Sequence, residues 1–121
     1  MPVRGTLTKA QLGFSMPVNA PLYPRPPYLY RDASLIFFEY ATDPSAAAAV
    51  LPEQVELADP PTAILAFAAY PWSSLGPYRE VVHLLSVTYQ GQPMRYALAL
   101  YVTSDAAMAS GRELEIGRAH V

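Results

Sequence analysis

The sequence predicts an α+β fold, mainly antiparallel β, arranged as a barrel or a curved sheet with one short helix. The chain has 121 residues, of which 52% are hydrophobic and 15% are charged, and this balance is typical of one packed globular domain. Thirteen prolines and nine tyrosines favour strands and fixed turns over a helical bundle. Strand-like segments also follow one another closely along the chain, as they do in a meander.

The charge and the cysteine content exclude several classes of protein. The net charge is −2 and no basic block is present, so we expect no nucleic-acid partner and no membrane partner. The absence of cysteine excludes disulfides and thiolate metal sites. Residues 1–14 lack the apolar core of a secretory signal, and the longest apolar run, 63–72, is too short to span a bilayer. We therefore expect a soluble, cytoplasmic protein.

The N-terminal part of the chain divides into two segments. Residues 1–19 are small and polar without a clear period, and we expect them to form a loose arm. The sequence APLYPRPPYLY, residues 20–30, contains four prolines and should be extended, because proline fixes its own φ and restricts the residue before it. It is either a linker or a segment packed along the domain. Its interleaved tyrosines, Tyr23, Tyr28 and Tyr30, favour packing.

The first predicted strand and the predicted helix follow directly. The sequence SLIFFEY, residues 34–40, is typical of a strand. Residues 42–52 predict a short helix, since Asp43 can cap its N-terminus and Pro44 suits its first turn. A short strand is predicted over 53–57, before a proline-rich break.

The next segments predict three further strands. Residues 62–70, TAILAFAAY, suit either a buried strand or a helix, because an apolar run of this length shows no clear period. Proline on both sides and the loop that follows favour the strand. Residues 79–89 and 94–103 predict two strands joined by a turn at QGQP, and they form the clearest hairpin in the sequence.

Two glutamates stand on predicted strands that are otherwise largely apolar. Glu39 shares a strand face with Leu35 and Phe37, and Glu80 shares one with Val82. A carboxylate in such a position either points into a cavity, where burial raises its pKa and suits it to proton transfer, or lies on a solvated face or at a strand end. Both glutamates are candidate site residues, and both interpretations stay open for each.

Other catalytic patterns are absent or weak. The sequence has no glycine-rich phosphate loop and no Gly-x-Ser-x-Gly motif. His83 and His120 have no neighbours at metal-ligand spacing, so no metal is expected, and His83 suits a hydrogen-bonded core residue better than a catalyst. Lys9 is the one lysine and lies in the predicted arm, so this chain offers no well-placed amine for a Schiff base.

Five short segments, taken in order, resemble the acetoacetate decarboxylase family. They keep the family spacing without gaps from about Ala20 to Leu114. The segments are APLYPRPPY at 20–28, YATD at 40–43, VLPEQVEL at 50–57, GPYRE at 76–80 and GREL at 111–114. Each segment alone is a weak signal, and the resemblance depends on their shared order over most of the chain.

The resemblance implies an α+β barrel around a mostly apolar cavity, assembled as a homo-oligomer and needing no cofactor. Members of the family are lyases that form an imine between a lysine and a β-keto acid, and loss of carbon dioxide then leaves an enamine. The lysine must be neutral to attack, so its pKa must be lowered, and acetoacetate decarboxylase is itself an established example of that effect. A small keto acid is the partner that the resemblance implies.

Several positions at which the family has charged groups are changed in this sequence. In the family register, the imine lysine and the lysine after it fall on Ala119 and His120, an arginine falls on Ala33, and a cavity glutamate falls on Leu65. The glutamate after Gly-x-Tyr-x is kept as Glu80, for which the resemblance implies a catalytic role. Arg31 and Glu39 are candidates to bind substrate in place of the absent groups, and Arg112 and Glu113 would support the missing lysine. These changes leave open whether the substrate is acetoacetate or a larger or less charged keto acid.

The last seven residues, EIGRAHV at 115–121, do not resemble the family. A DNA sequence that encodes them is similar, from its second base onward, to a common short-read sequencing adapter, whose next codon in this frame is a stop. We therefore interpret 115–121 as adapter translation, with a genuine charged tail as the alternative. The chain would then hold the N-terminal part of a family domain over 20–114, lack the strands that close the barrel, and be inactive by itself.

Two functions remain open on the sequence. The first is an acetoacetate decarboxylase-like lyase, represented here by a fragment that is truncated before its lysine. The second is a non-catalytic barrel that binds a small hydrophobic ligand in an apolar cavity. The loss of polar family groups at Ala33 and Leu65 favours the second interpretation.

Overall fold

The computed structural model describes residues 1–13, 15, 17–114 and 119–120. Within these residues it contains a 3₁₀ turn at Lys9–Gln11, eight strands and two α-helices. In chain order the elements are β1 (Tyr30–Arg31), β2 (Ser34–Ala41), α1 (Pro44–Ala48), β3 (Glu56–Leu57), β4 (Thr62–Tyr70), β5 (Trp72–Ser73), β6 (Tyr78–Tyr89), β7 (Gln92–Val102), α2 (Asp105–Leu114) and β8 (Ala119–His120). Neither of these described helices is long and apolar enough to cross a membrane.

Six of the strands form one open sheet whose main path is β2–β4–β6–β7–β8, with β3 beside β6. The described pairings in it are antiparallel except that of β7 with the short β8, which is parallel. β1 and β5 form a separate antiparallel pair. The predicted α+β fold, built mainly from antiparallel strands, is therefore confirmed.

The predicted strands agree closely with the observed ones. β4 has the predicted bounds, so the strand interpretation of that apolar run is confirmed. β6 and β7 pair as the predicted hairpin. The strand predicted over 53–57 was too long, because Val55 N–H donates to the Pro52 carbonyl in a turn at 3.0 Å and only Glu56–Leu57 pair with β6.

A tight turn sets the register of the β6–β7 hairpin. Tyr89 pairs with Gln92, and both residues between them have positive φ, 49° at Gln90 and 75° at Gly91. Two successive positive φ angles are the requirement of a two-residue turn whose twist matches that of the flanking strands. Glycine adopts this conformation without a Cβ clash, so Gly91 suits the second position.

The helix predicted over 42–52 is present as α1, which is shorter than predicted and ends at Ala48. The Asp43 carboxylate accepts a hydrogen bond from the Ala46 N–H at 2.7 Å, and Pro44 occupies the first turn, as predicted. The helix is short and buries Ala47 against the sheet.

A second helix, α2, replaces the expectation of a single helix. It begins after Ser104, whose hydroxyl accepts from the Ala107 N–H at 3.3 Å and whose carbonyl accepts from the Met108 N–H at 2.9 Å. It buries three small residues, Ala107, Ser110 and Gly111. No element was predicted here, because small and polar residues give this stretch little apolar periodicity.

The tyrosine-rich segment before β1 packs along the domain, as predicted. Tyr23 is only 3% exposed and belongs to a buried cluster, against which Tyr28 also packs. Tyr30 reaches the same region through a 3.0 Å hydrogen bond between its hydroxyl and that of Tyr78. Residues 1–13, by contrast, are exposed.

The register of the sheet assigns its side chains to two faces. Residues that stand opposite each other on neighbouring antiparallel strands share a face. Leu65 stands opposite His83, and we call their side the histidine face. Ala68 stands opposite Glu80, and we call their side the glutamate face.

Two buried clusters lie on opposite faces and at opposite ends of the sheet. The cluster on the glutamate face involves α2 and consists of Tyr23, Leu75, Tyr78, Val102 and Ala107. The cluster on the histidine face involves α1 and consists of Ala47, Ala63, Leu85 and Val87. The histidine face near the start of β6 is therefore outside both clusters, and the candidate site lies there.

Candidate active site

Two adjoining cavities lie where β2 and β6 begin and where β4 and β7 end. The first, which we call the apolar cavity, has a volume of about 330 Å³, and the second, the outer cavity, has about 610 Å³. Both volumes fall in the range of about 300–1,000 Å³ that small-molecule sites occupy. Four residues border both cavities: Ser34, Ala69, Arg79 and Thr103. The two cavities therefore form one continuous candidate site.

The wall of the apolar cavity is a row of cross-strand neighbours. The row crosses four strands and consists of Ile36, Phe67, Val81 and Tyr101, each opposite the next. It belongs to the histidine face, because Val81 stands two residues before His83 on the same strand. An apolar part of a ligand can lie along this row.

The next row brings polar groups to the border of the site. Ser34 stands opposite Ala69, which stands opposite Arg79. The backbone of Arg79 is held by Thr103, whose hydroxyl accepts from the Arg79 N–H at 2.9 Å and whose N–H donates to the Arg79 carbonyl at 3.1 Å. Asp32 borders the outer cavity. Among the described residues that line the two cavities, Arg79 is the one cation.

Glu80, the predicted catalytic residue, is buried. It is 7% exposed and borders the apolar cavity, and the Tyr70 hydroxyl donates to its carboxylate at 3.4 Å. Tyr70 packs against Tyr78 with ring centroids 4.9 Å apart. Because alternate residues of a strand point to opposite sides, the carboxylate lies on the glutamate face, behind the wall of the apolar cavity.

Glu39 and Arg31, the two predicted substrate-binding residues, lie outside the borders of both cavities. Glu39 is exposed on β2, opposite Ile64, and shares the glutamate face with Glu80. The Arg31 guanidinium carbon lies 4.6 Å from the centre of the Trp72 ring, in a cation–π contact between β1 and β5. The structure thus brings neither residue to the candidate site.

The two residues predicted to support the lysine, Arg112 and Glu113, lie in the last turn of α2 and are exposed. The Glu113 carboxylate accepts a hydrogen bond from the Tyr23 hydroxyl. That hydrogen bond, together with burial and the negative charge of Glu113, raises the pKa of Tyr23 above its usual value of about 10. Glu113 therefore ties the end of α2 to the N-terminal segment.

The short strand β8 relates the family lysine position to the cavity. β8 runs parallel to β7, with position 119 paired with Tyr101. The resemblance to the family implies that its imine-forming lysine falls at position 119. Since Tyr101 lines the apolar cavity, the backbone at this position neighbours the cavity wall. Residues 115–118 and 121, which the adapter interpretation also covers, lie outside the described residues.

His83 forms a hydrogen-bonded pair with Tyr40 that was not predicted from the sequence. The Tyr40 hydroxyl and the His83 Nε2 are 2.8 Å apart, and the two rings stack with centroids separated by 6.3 Å. The predicted hydrogen bond agrees with this contact, but His83 is half-buried and lies outside both buried clusters, so it is not the core residue that was predicted. Tyr40 was missed because its partner is distant in sequence, and Arg79 was missed because one strand position alone does not indicate a cavity.

Within the described part of the chain, no group of three or more histidine, aspartate or glutamate side chains could hold a metal ion.

The open sheet and its one-sided cavity define the acetoacetate decarboxylase-like class of α+β proteins. One solved structure of an acetoacetate decarboxylase matches this chain with a TM-score of 0.85 and 28% sequence identity. The match covers 95% of this chain and 48% of the other chain. The acetoacetate decarboxylase of Legionella pneumophila gives 0.76 at 27% identity, over 100% of this chain and 49% of that one. The enduracididine biosynthesis enzyme MppR, at 23% identity and a TM-score of 0.77, shares the fold.

Sequence comparison narrows this class to one family. A family model for acetoacetate decarboxylase (ADC) matches residues 15–115. The acetoacetate decarboxylase of Streptomyces nogalater is 35% identical over 100 residues, and that of Ralstonia nicotianae is 31% identical over 107 residues. The chain therefore belongs to the acetoacetate decarboxylase family, and the resemblance found in its five segments is confirmed.

The matches cover most of this chain but less than half of each relative. They include 83% and 88% of this chain but 41% and 43% of the relatives from Streptomyces nogalater and Ralstonia nicotianae. The chain thus spans less than half the length of the relatives it matches.

Proposed function

We propose that this chain is the N-terminal part of an acetoacetate decarboxylase-like lyase that acts on a β-keto acid through a lysine imine. The observation that carries the proposal is the apolar cavity, because its wall of Ile36, Phe67, Val81 and Tyr101 gives an amine the low-dielectric surroundings that the reaction needs. Membership of the family supports the same reaction. We further expect the full-length protein to be a homo-oligomer.

The chemistry requires a neutral amine beside an apolar space. The amine attacks the keto carbon and water leaves, which gives the imine. The bond between the carboxylate carbon and its neighbour then breaks, carbon dioxide leaves, and the electron pair moves into the protonated imine to form an enamine. Protonation at carbon and hydrolysis release the ketone. An apolar wall supports this sequence, because a low dielectric disfavours the protonated, unreactive amine.

The predicted residue roles stay proposals. Glu80 is the proposed catalytic acid, supported by its burial and by the hydrogen bond from Tyr70. Arg112 and Glu113 are proposed to support the lysine through the end of α2. Arg31 and Glu39 stay predicted substrate-binding residues, although other groups border the cavities in the described part.

We also propose that residues 115–121 come from adapter DNA and that the natural sequence differs after Leu114. The end of the family match at residue 115 supports this boundary. A natural continuation would supply the lysine that this chain lacks in the family register.

The continuation of the gene tests the proposal. It is read from source DNA by a method that does not use this adapter, and we expect a lysine codon within a few codons of Leu114. The full-length protein is then incubated with acetoacetate and borohydride, which reduces an imine to a stable adduct on the lysine. Mass spectrometry should find the adduct on that lysine. The variant in which the lysine is replaced by arginine should carry none.

Two outcomes would contradict the proposal. If an uncontaminated gene encodes EIGRAHV and then stops, the protein has no lysine to form the imine. If the lysine is present but no keto acid labels it, the protein does not catalyse the proposed reaction.

A non-catalytic barrel for a small hydrophobic ligand is the second candidate. The row Ile36, Phe67, Val81 and Tyr101 favours it, because such a wall binds apolar chains without any chemistry. A continuation without lysine, together with saturable binding of a neutral apolar ligand, would support this function over the first.

A further inference from the structure

Arg79 holds an unusual place in the candidate site. It borders both the apolar cavity and the outer cavity. Within the described residues its side chain makes no ion pair and no side-chain hydrogen bond, while its backbone is fixed by two hydrogen bonds with Thr103. The backbone of Arg79 is thus fixed, while the donors of its guanidinium have no partner among the described residues. Such a group suits an anionic ligand, because guanidinium and carboxylate match in shape and charge.

The neighbours of Arg79 leave room for a ligand. Ala69 stands between Arg79 and Ser34 in the cross-strand row, so the middle of the row carries only a methyl group. Strands lie about 4.8 Å apart, so the two outer residues are separated by roughly 10 Å. A carboxylate fits above Ala69, and Ser34 and Thr103 border the same two cavities.

The acidic residues at the site form no ion pair with the Arg79 guanidinium within the described residues. The Glu80 carboxylate lies on the glutamate face and accepts from Tyr70. Asp32 borders only the outer cavity, and no ion pair joins it to Arg79 within the described residues. Asp32 can instead repel a ligand carboxylate from the outer cavity and so direct it toward Arg79.

The apolar row continues inward from Arg79. Val81 follows Arg79 on the same face after two residues, a distance of roughly 7 Å along the strand. A ligand whose carboxylate binds Arg79 therefore has its apolar chain beside Val81 and the cross-strand neighbour of Val81, Tyr101.

We propose that Arg79 binds the carboxylate of a β-keto acid whose apolar chain lies along Ile36, Phe67 and Val81. This inference rests on the proposed function and narrows its substrate class to keto acids with a longer apolar chain than that of acetoacetate. Arg79 would then supply the cation that the family register has at Ala33.

Equilibrium binding to the full-length protein tests the role of Arg79. The probes are octanoate and 1-octanol, which share an apolar chain and differ in the carboxylate. Arg79→Met keeps the apolar stem and removes the charge. A hydrogen-bonded charge contributes about 1.5–3 kcal/mol, so octanoate should bind roughly 10- to 100-fold more weakly to the variant. Binding of 1-octanol should be unchanged.

Two further variants make the result specific. Arg79→Lys keeps the charge but loses the planar fork, so octanoate affinity should lie between those of the parent and Arg79→Met. Arg95 is an exposed strand arginine away from both cavities that donates to the Ser86 hydroxyl. Arg95→Met should leave octanoate binding unchanged. If Arg79→Met does not fold, the Arg79→Lys variant alone decides the outcome.

The inference is overturned if octanoate binds all variants equally, or if Arg79→Met weakens 1-octanol as much as octanoate. Failure of the proposed function gives a different result. In that case, borohydride with 3-oxooctanoate leaves no adduct on the full-length protein, while octanoate binding still depends on Arg79.

Discussion

Arg79 and Glu80 are neighbours in sequence, yet their side chains lie on opposite faces of the sheet. Alternation along β6 directs Arg79 to the cavities and the Glu80 carboxylate to Tyr70 on the other side. Glu80 borders the apolar cavity from that other face, whereas Arg79 borders both cavities. At the scale of single residues, the two neighbours therefore suit different roles, anion binding for Arg79 and the proposed proton transfer for Glu80.

Tyr23 and Glu113 give a pH-dependent prediction for the full-length protein. Glu113 raises the pKa of Tyr23, so the folded chain holds the tyrosine proton more tightly than the unfolded chain does. This contribution to stability is complete below the unfolded pKa of about 10 and is lost as the pH rises through the folded-state pKa. Tyr23→Phe should therefore lower the free energy of unfolding at neutral pH, and its deficit should shrink in alkaline solution.

Chemical denaturation of the parent and of Tyr23→Phe across this pH range measures the effect. Glu113→Ala is the matched control, because it removes both the acceptor of the hydrogen bond and the negative charge, so the alkaline change should become smaller. A stability difference that stays constant with pH would contradict the assignment.

Among the elements, β2 is the least protected. It pairs with β4 along one edge, and its four central apolar side chains are between 52% and 63% exposed: Leu35, Ile36, Phe37 and Phe38. Edge strands with exposed apolar residues tend to pair with other chains. β2 therefore needs a cover that the described residues do not supply.

The turn between β6 and β7 gives a prediction at the same scale. Gly91 has a φ of 75° with open space around it, so an added Cβ meets no neighbour but strains the backbone. Gly91→Ala in the full-length protein should lower the free energy of unfolding by about 1–2 kcal/mol.

Gly5 provides the matched control for this change. It also has open space around it and lies in the exposed N-terminal residues. Gly5→Ala should change the stability by less than about 0.5 kcal/mol, as a surface substitution does. Equal effects of the two substitutions in urea denaturation would refute the turn assignment.

For the whole molecule, the two clusters on opposite faces leave much apolar surface uncovered. The chain of 121 residues, expressed alone, should associate or stay partly folded, because exposed apolar surface and a free sheet edge favour contacts between chains. Light scattering should detect association, and the dye ANS should fluoresce strongly on binding.

The full-length protein is the control, and it should bind ANS weakly. A compact monomer of the 121-residue chain with one sharp unfolding transition would contradict this prediction.

Much of the fold could be predicted because its signals are local. The helix near Asp43 follows from a cap and a proline in the first turn, and the β6–β7 hairpin follows from two apolar runs around a short turn. The helix α2 could not be predicted, because it is stabilised by small residues that pack against distant ones. Its end, for example, is tied to Tyr23.

The candidate site was predictable only in part, because its geometry also depends on residues that are distant in sequence. Glu80 was found through its motif and its strand, and burial agrees with one of its two interpretations. Arg31 was proposed because it is close in sequence to Ala33, and Glu39 because it alternates with apolar residues on a strand. Neither signal shows whether a side chain reaches a cavity. Arg31 instead contacts Trp72.

The sequence by itself determined the family, the class of fold and the bounds of the main strands, because these depend on short motifs and on alternation along one segment. Only the tertiary structure decided which face each charged side chain occupies relative to the cavities. That choice depends on the register between strands far apart in sequence, such as the pairing of Ser34 with Ala69 and of Ala69 with Arg79. A shift of one residue would exchange the two faces, so the position of Arg79 at the cavity is a property of the whole sheet.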